Sequence, residues 1–184
     1  MGRNNTQAMT NIRMLCRVQH LDERALYARS KLILSIYRDV CWSAVGRAND
    51  IESDLMETCG SALDSALIYL ETFAPDETRG QFEERVQSLF ETRWIVELIE
   101  STMVRIRDYP VRGDLYCEIL NLCYLNRFKY KETELLEILH IERSSFYDRK
   151  KEAVLLFGLS LWGTAIPQLK NFLGSVQYDL PNAL

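Results

Sequence analysis

Apolar residues recur along this chain at intervals of three and four, the spacing that lines one face of an α-helix, and the strict alternation that builds half-buried strands is scarce. Residues 22–45 show the pattern first, with Leu26, Leu32, Ile33, Ile36, Tyr37, Val40 and Cys41 on one side, Asp22 placed as an N-cap and Gly46 as a stop. Residues 51–73 repeat it through Ile51, Leu55, Cys59, Leu63, Ala66, Leu67 and Leu70, ending at Ala74-Pro75. A third run starts at Thr78 or Gly80 and ends at Asp108, carrying Phe82, Val86, Leu89, Phe90, Ile95, Leu98, Ile99, Met103 and Ile106. At about 1.5 Å per residue it extends roughly 40 Å, long enough to pack against its two predecessors or to seam a dimer. Asp108-Tyr109-Pro110 stops it, and Val111-Arg112-Gly113 forms a linker.

Beyond the linker the pattern shortens. Asp114 is placed to cap a helix bearing Leu115, Ile119, Leu120, Leu122 and Cys123, and a loop then holds Arg127 and Lys129 beside Tyr124 and Tyr130. A brief helix with Leu135, Leu136 and Leu139 buried and Glu132, Thr133 and Glu137 in water breaks its period at residues 139–142. A second helix follows with a displaced stripe of Phe146, Ala153, Leu156 and Phe157, so the two predict a helix-turn-helix pair. The second helix is expected to run through Gly158 to Trp162 and stop at Gly163, and Pro167 to open a short helix with Ile166, Leu169, Phe172 and Leu173 that ends at Gly174. Trp162 is expected to pack against that helix.

The polar, Asn-rich start predicts disorder over the first ten residues, with a short amphipathic turn over 11–18 in which Ile12, Leu15 and Cys16 dock and Arg13 and Arg17 are solvated or touch phosphate. The expected organisation is therefore all-α. It comprises a flexible basic segment over residues 1–20, an acidic helical bundle over 21–110, a helix-turn-helix domain over 111–163 and a short helix and tail over 164–184.

Composition narrows the function. A hydrophobic share of 47% over 184 residues suffices for a packed core. The charge is uneven, with eight Lys/Arg against three Asp/Glu in residues 1–48, three against thirteen in 49–100 and eleven against ten in 101–184. A polyanion should therefore meet the ends of the chain and avoid its middle. Five cysteines without a C-x-x-C pair suggest neither a disulfide framework nor a zinc site, and they read as small apolar residues. With no signal-peptide pattern and no run near the roughly 18 apolar residues that span a bilayer, a cytoplasmic protein is expected. Thr6 would suit a myristoylation motif after Gly2, but nothing else supports a lipid anchor.

A helix that buries Phe146 and Ala153 turns Ser144, Tyr147, Asp148 and Lys151 the other way, flanked by Arg143 and Lys150. Arg can bond a guanine edge in bidentate fashion, and hydroxyls and ammonium groups suit phosphate oxygens. Ser145, Arg127 and Lys129 are further candidate phosphate contacts.

The stretch LLEILHIERSSFYDRKKEA resembles the DNA-binding element of sigma factor region four. With RGDLYCEILNLCYL before it and LFGLSLWG after it, it is similar to phage late-transcription regulators of the ArpU/RinA type, over roughly residues 113–163. The resemblance places Leu135, Leu139, Ile141 and Phe146 in the core of the pair and implies that Glu142, Arg143, Ser144, Tyr147, Asp148 and Lys151 face DNA. His140 stands where the turn commonly has Gly, and Leu136 where a small residue is usual. Arg149 stands where an apolar residue is expected, so it should lay its stem over the core and pair with Glu134 or Glu137.

Neither a glycine-rich phosphate loop, nor an H-E-x-x-H zinc motif, nor a G-x-S-x-G nucleophile elbow occurs, and no enzyme activity, cofactor or metal is expected. The expected function is sequence-specific binding of double-stranded DNA by a phage or prophage regulator of late genes in a bacterial host. RNA polymerase and a second copy of the chain are further expected partners. The competing expectation is an interaction or assembly protein resembling a small terminase subunit, in which the helix pair is architectural and its charges form a solvated face.

Overall fold

A computed structural model of the chain describes residues 6–44 and 94–171. The described residues form helices and turns, with no strand among them, as the apolar periodicity predicts. The predicted helix over 51–73, its stop signals, the first part of the predicted third helix and residues 172–184 lie outside the described residues, as do the side chains of Val40 and Cys41.

Helix α1, Gln7–Val18, begins inside the segment expected to be flexible, which corrects that expectation. Thr6 is its N-cap and accepts the Met9 N–H at 3.1 Å, a contact typically worth about 1 kcal/mol. Ala8, Met9, Ile12 and Cys16 then bury at helical spacing. His20 turns the chain in the left-handed region, and α2, Glu23–Ala44, starts where Asp22 accepts the Ala25 N–H at 2.8 Å. Leu26, Ser30, Ile33, Leu34 and Ile36 are its buried residues among those described.

Helix α3, Trp94–Arg107, buries Leu98, Ile99, Met103 and Ile106. The cap of α4, Gly113–Leu120, differs from expectation: Arg112 holds that place with a left-handed φ of 62°, and Asp114 sits within the first turn. Gly113 is required there because a Cβ would strike the Ile106 and Arg107 carbonyl oxygens at the end of α3. The chain continues from α4 into a π turn, Asn121–Leu125, and Arg38 of α2 donates to the Asn126 carbonyl at 2.5 Å just beyond it.

Helices α5, Glu132–Leu139, and α6, Arg143–Ser160, follow. His140, left-handed at φ 50°, ends α5 with its N–H donating to the Glu137 carbonyl at 3.3 Å, while Ile141 N–H reaches the Leu136 carbonyl at 3.3 Å. Two neighbouring carbonyls of the last turn are thereby satisfied, and the chain is turned sharply into α6.

Helix α6 is the centre of the core. Helices α1, α2, α3 and α4 all pack on it, and every residue from Glu152 to Leu159 is buried. A helix apolar on all sides must be surrounded, and this stretch is. Its close crossing with α2 depends on Gly158, where a Cβ would run into Ser30 Oγ and Leu26 Cγ. The predicted stop at Gly163 is not used. A second π turn, Leu161–Ala165, carries the helix on without a break to Asn171. By length and composition alone Arg143–Asn171 could cross a membrane, contrary to the expectation from sequence, yet 67% of its most apolar window is buried inside the protein.

Candidate nucleic-acid interface

The start of α6 has one wet edge because Phe146, 2% exposed, fixes which way the first two turns roll. Arg143 and Ser144 are exposed, Tyr147 is 49% exposed, and Ser145, Asp148, Lys150 and Lys151 are half-buried. Arg127 and Lys129 are exposed in the loop ahead of α5. Glu134 of that helix accepts the Lys131 backbone N–H at 2.6 Å and so fixes where the loop becomes helix.

Glu132, the first residue of α5, draws part of this edge together. One carboxylate oxygen lies 2.5 Å from Arg143 Nε, and the other accepts the Tyr147 hydroxyl at 2.7 Å. The Tyr147 hydroxyl and the Glu132 charge raise the Arg143 pKa above its already high range, so the guanidinium stays charged. A pair this exposed adds little to folding stability. Its effect is to hold an arginine and a tyrosine side by side.

Lys150 and Lys151 lie against other groups. Lys150 Nζ stands 5.0 Å above the Tyr124 ring and 5.6 Å from the Phe146 ring, an aromatic perch for an ammonium group. Lys151 leans toward α2, 3.6 Å from Glu23, which also pairs with Arg13 of α1 at 3.0 Å. Arg143, Ser144 and Tyr147 therefore share one edge, while Lys151 faces the N-terminal helices.

Arg149 corrects the expected pairing. It bonds Glu152 at 2.6 Å, and neither Glu134 nor Glu137 is that partner. The Glu152 side chain is 1% exposed and also accepts the Tyr116 hydroxyl at 2.8 Å and the Thr6 hydroxyl. This carboxylate joins α1, α4 and α6 beneath the wet edge. Burial disfavours the charged form of Arg149, and the hydrogen bond and charge of Glu152 more than offset it. The Tyr116 phenol is pushed up to about 12, by burial first and by Glu152 second. The sequence does hold a signal for this hub. Glu152 follows Phe146 and Arg149 at intervals of three on the buried stripe, a place where a carboxylate needs a partner.

Among the described residues no group of three or more His, Cys, Asp or Glu gathers as a metal site. Cys16 and Cys117 are buried, Cys123 is half-buried, and burial raises the pKa of Cys16 and Cys123, which disfavours their reactive thiolates. An open groove of about 610 Å³ between α2, α3 and α4, lined by Tyr37, Met103, Arg107 and Glu118 among others, includes no residue of α5 or α6. Comparison with protein-family models, with curated proteins and with solved structures finds no match for this chain.

Proposed function

We propose that the chain is a sequence-specific regulator of transcription that binds double-stranded DNA through a helix-turn-helix made of α5 and α6. One observation carries the reading: a short helix, a left-handed corner at His140 and a second helix whose buried Phe146 leaves Arg143, Ser144 and Tyr147 on a common exposed edge. Such an edge suits the major groove, which admits a helix and displays base edges to Arg and hydroxyl groups. Lys150 would grip phosphate beside it, with Ser145, Arg127 and Lys129 as further backbone contacts. Asp148 lies at the border of the edge, and Lys151 would have to exchange Glu23 for DNA.

Together with the resemblance to ArpU/RinA-type regulators, this reading includes a phage or prophage origin, action on late genes in the bacterial cytoplasm, RNA polymerase or a second copy as partner, and no enzymatic activity. Binding-site selection from random duplexes, followed by titration at rising salt, tests it. Arg143→Ala should relax the preference at one base position by roughly 5- to 150-fold. Lys150→Ala should weaken all duplexes alike. No preference among duplexes at moderate salt would remove the reading.

An assembly role, with the pair as architecture, is favoured by a different observation: Arg143, Arg149 and Lys151 each have a carboxylate partner inside the chain. A ring-sized mass in solution combined with indifference to duplex sequence would select it.

A further inference from the structure

Glu132 is an unexpected presence on an edge meant for a polyanion. A carboxylate there repels phosphate, and the exposed ion pair it makes does little for the fold. Yet both of its oxygens are engaged, one on Arg143 Nε and one on the Tyr147 hydroxyl, and these are the two largest side chains of that edge. The residue also sits on a different helix from the ones it holds, at the first position of α5, where Glu134 pins the backbone of the residue before it. It is therefore a fixed point relative to α6.

We propose that Glu132 is a specificity-determining positioning residue, which aims Arg143 at one base by holding its guanidinium from the Nε side. This rests on the DNA-binding reading above. Arginine has a long side chain with many rotamers, and an unsupported one on a helix edge serves whichever phosphate or base edge is nearest. Held at Nε, the planar group keeps a set orientation, and its terminal nitrogens can meet guanine O6 and N7 as a pair. The Tyr147 hydroxyl, donating to the second carboxylate oxygen, keeps the carboxylate itself from turning. The negative charge has a second effect: it lowers affinity for DNA of any sequence alike, so discrimination between right and wrong sites is left to the aim of Arg143.

The two effects give opposite signs in one variant, which a merely structural residue would not do. Glu132→Gln retains an oxygen for the Tyr147 hydroxyl and removes the charge. Equilibrium binding of the full chain and of this variant is measured on the selected duplex, on the same duplex with the Arg143-dependent base pair changed, and on an unrelated duplex, over a range of salt. Expected are tighter binding to the unrelated duplex by several-fold, a steeper dependence on salt, and a loss of about tenfold or more in discrimination at that base pair. Glu132→Asp, too short to reach both partners, should lose discrimination without the gain on unrelated DNA. Discrimination unchanged in Glu132→Gln, with the parent selective, overturns the role of Glu132 and leaves the DNA-binding reading standing. A parent that selects no duplex overturns both.

Discussion

The two halves of α6 belong to one helix and meet opposite surroundings. From Arg143 to Lys151 it carries most of its charges and keeps one edge in water, whereas from Glu152 to Leu159 no residue is exposed. Both halves contain charge, and the difference lies in what answers it. At the wet end Glu132 and Arg143 pair at the surface, where water screens the bond and it adds little to folding. At the buried end Glu152 is held by Arg149, Tyr116 and Thr6 together, and water offers no substitute. This hub fixes the buried half of the helix to α1 and α4.

Removing the buried carboxylate should break the contrast most severely. Glu152→Ala leaves Arg149 and the Tyr116 hydroxyl without their acceptor and should cost about 3–5 kcal/mol in chemical denaturation. By comparison, Arg143→Ala should scarcely move the denaturation midpoint. An equal loss for the two would mean that the halves are not energetically distinct.

Alkali should reach the same hub by a gentler route. Because the folded Tyr116 phenol ionises at about 12, against about 10 when unfolded, its contribution is complete below pH 10 and is lost as the pH rises through 12. Over that window the loss should come to about 2–3 kcal/mol. Phenolate absorbance and denaturation followed together would show it, and Tyr116→Phe should flatten the slope. The buried Tyr124, whose pKa burial also raises, should leave an alkaline slope of its own in that variant.

The smallest expected change is at the corner before the wet half. His140 adopts a backbone conformation that costs an L-residue with a side chain about 1 kcal/mol, so His140→Gly should stabilise the chain by up to that amount. A higher denaturation midpoint at unchanged slope is the result that supports it.

The sequence made the helical class, the placement of α2 behind Asp22 and the exposed edge around Phe146 legible, because each follows from local periodicity or from one capping side chain. What escaped depended on distant partners. Polar residues outnumber apolar ones at the start of α1 and so predict disorder, yet Met9 and Ile12 find a core supplied largely by α6. Glu152 stands one helical turn from Arg149, but Tyr116 and Thr6, which commit it to the interior, are 36 and 146 residues away, so the sequence leaves partners on α5 equally open to Arg149. The periodicity around Glu132 predicts a solvated residue of an amphipathic helix, because no periodic signal links it to a residue eleven positions later. Left-handed corners at His20 and Arg112 were equally hidden, as neither carries the glycine that usually marks such a place.

The widened turn at Leu161–Ala165 changes how residues must be counted along the last stretch of this helix. A π turn takes in one residue more than an α turn, so side chains beyond it are rotated by about 100° from where ordinary winding would put them. A stripe traced forward from Phe146 thus slips out of phase at Leu161, and the buried Ile166 lies beyond that slip. Insertion of a single residue, elsewhere among the surest ways to scramble a helix, is already accommodated in this one.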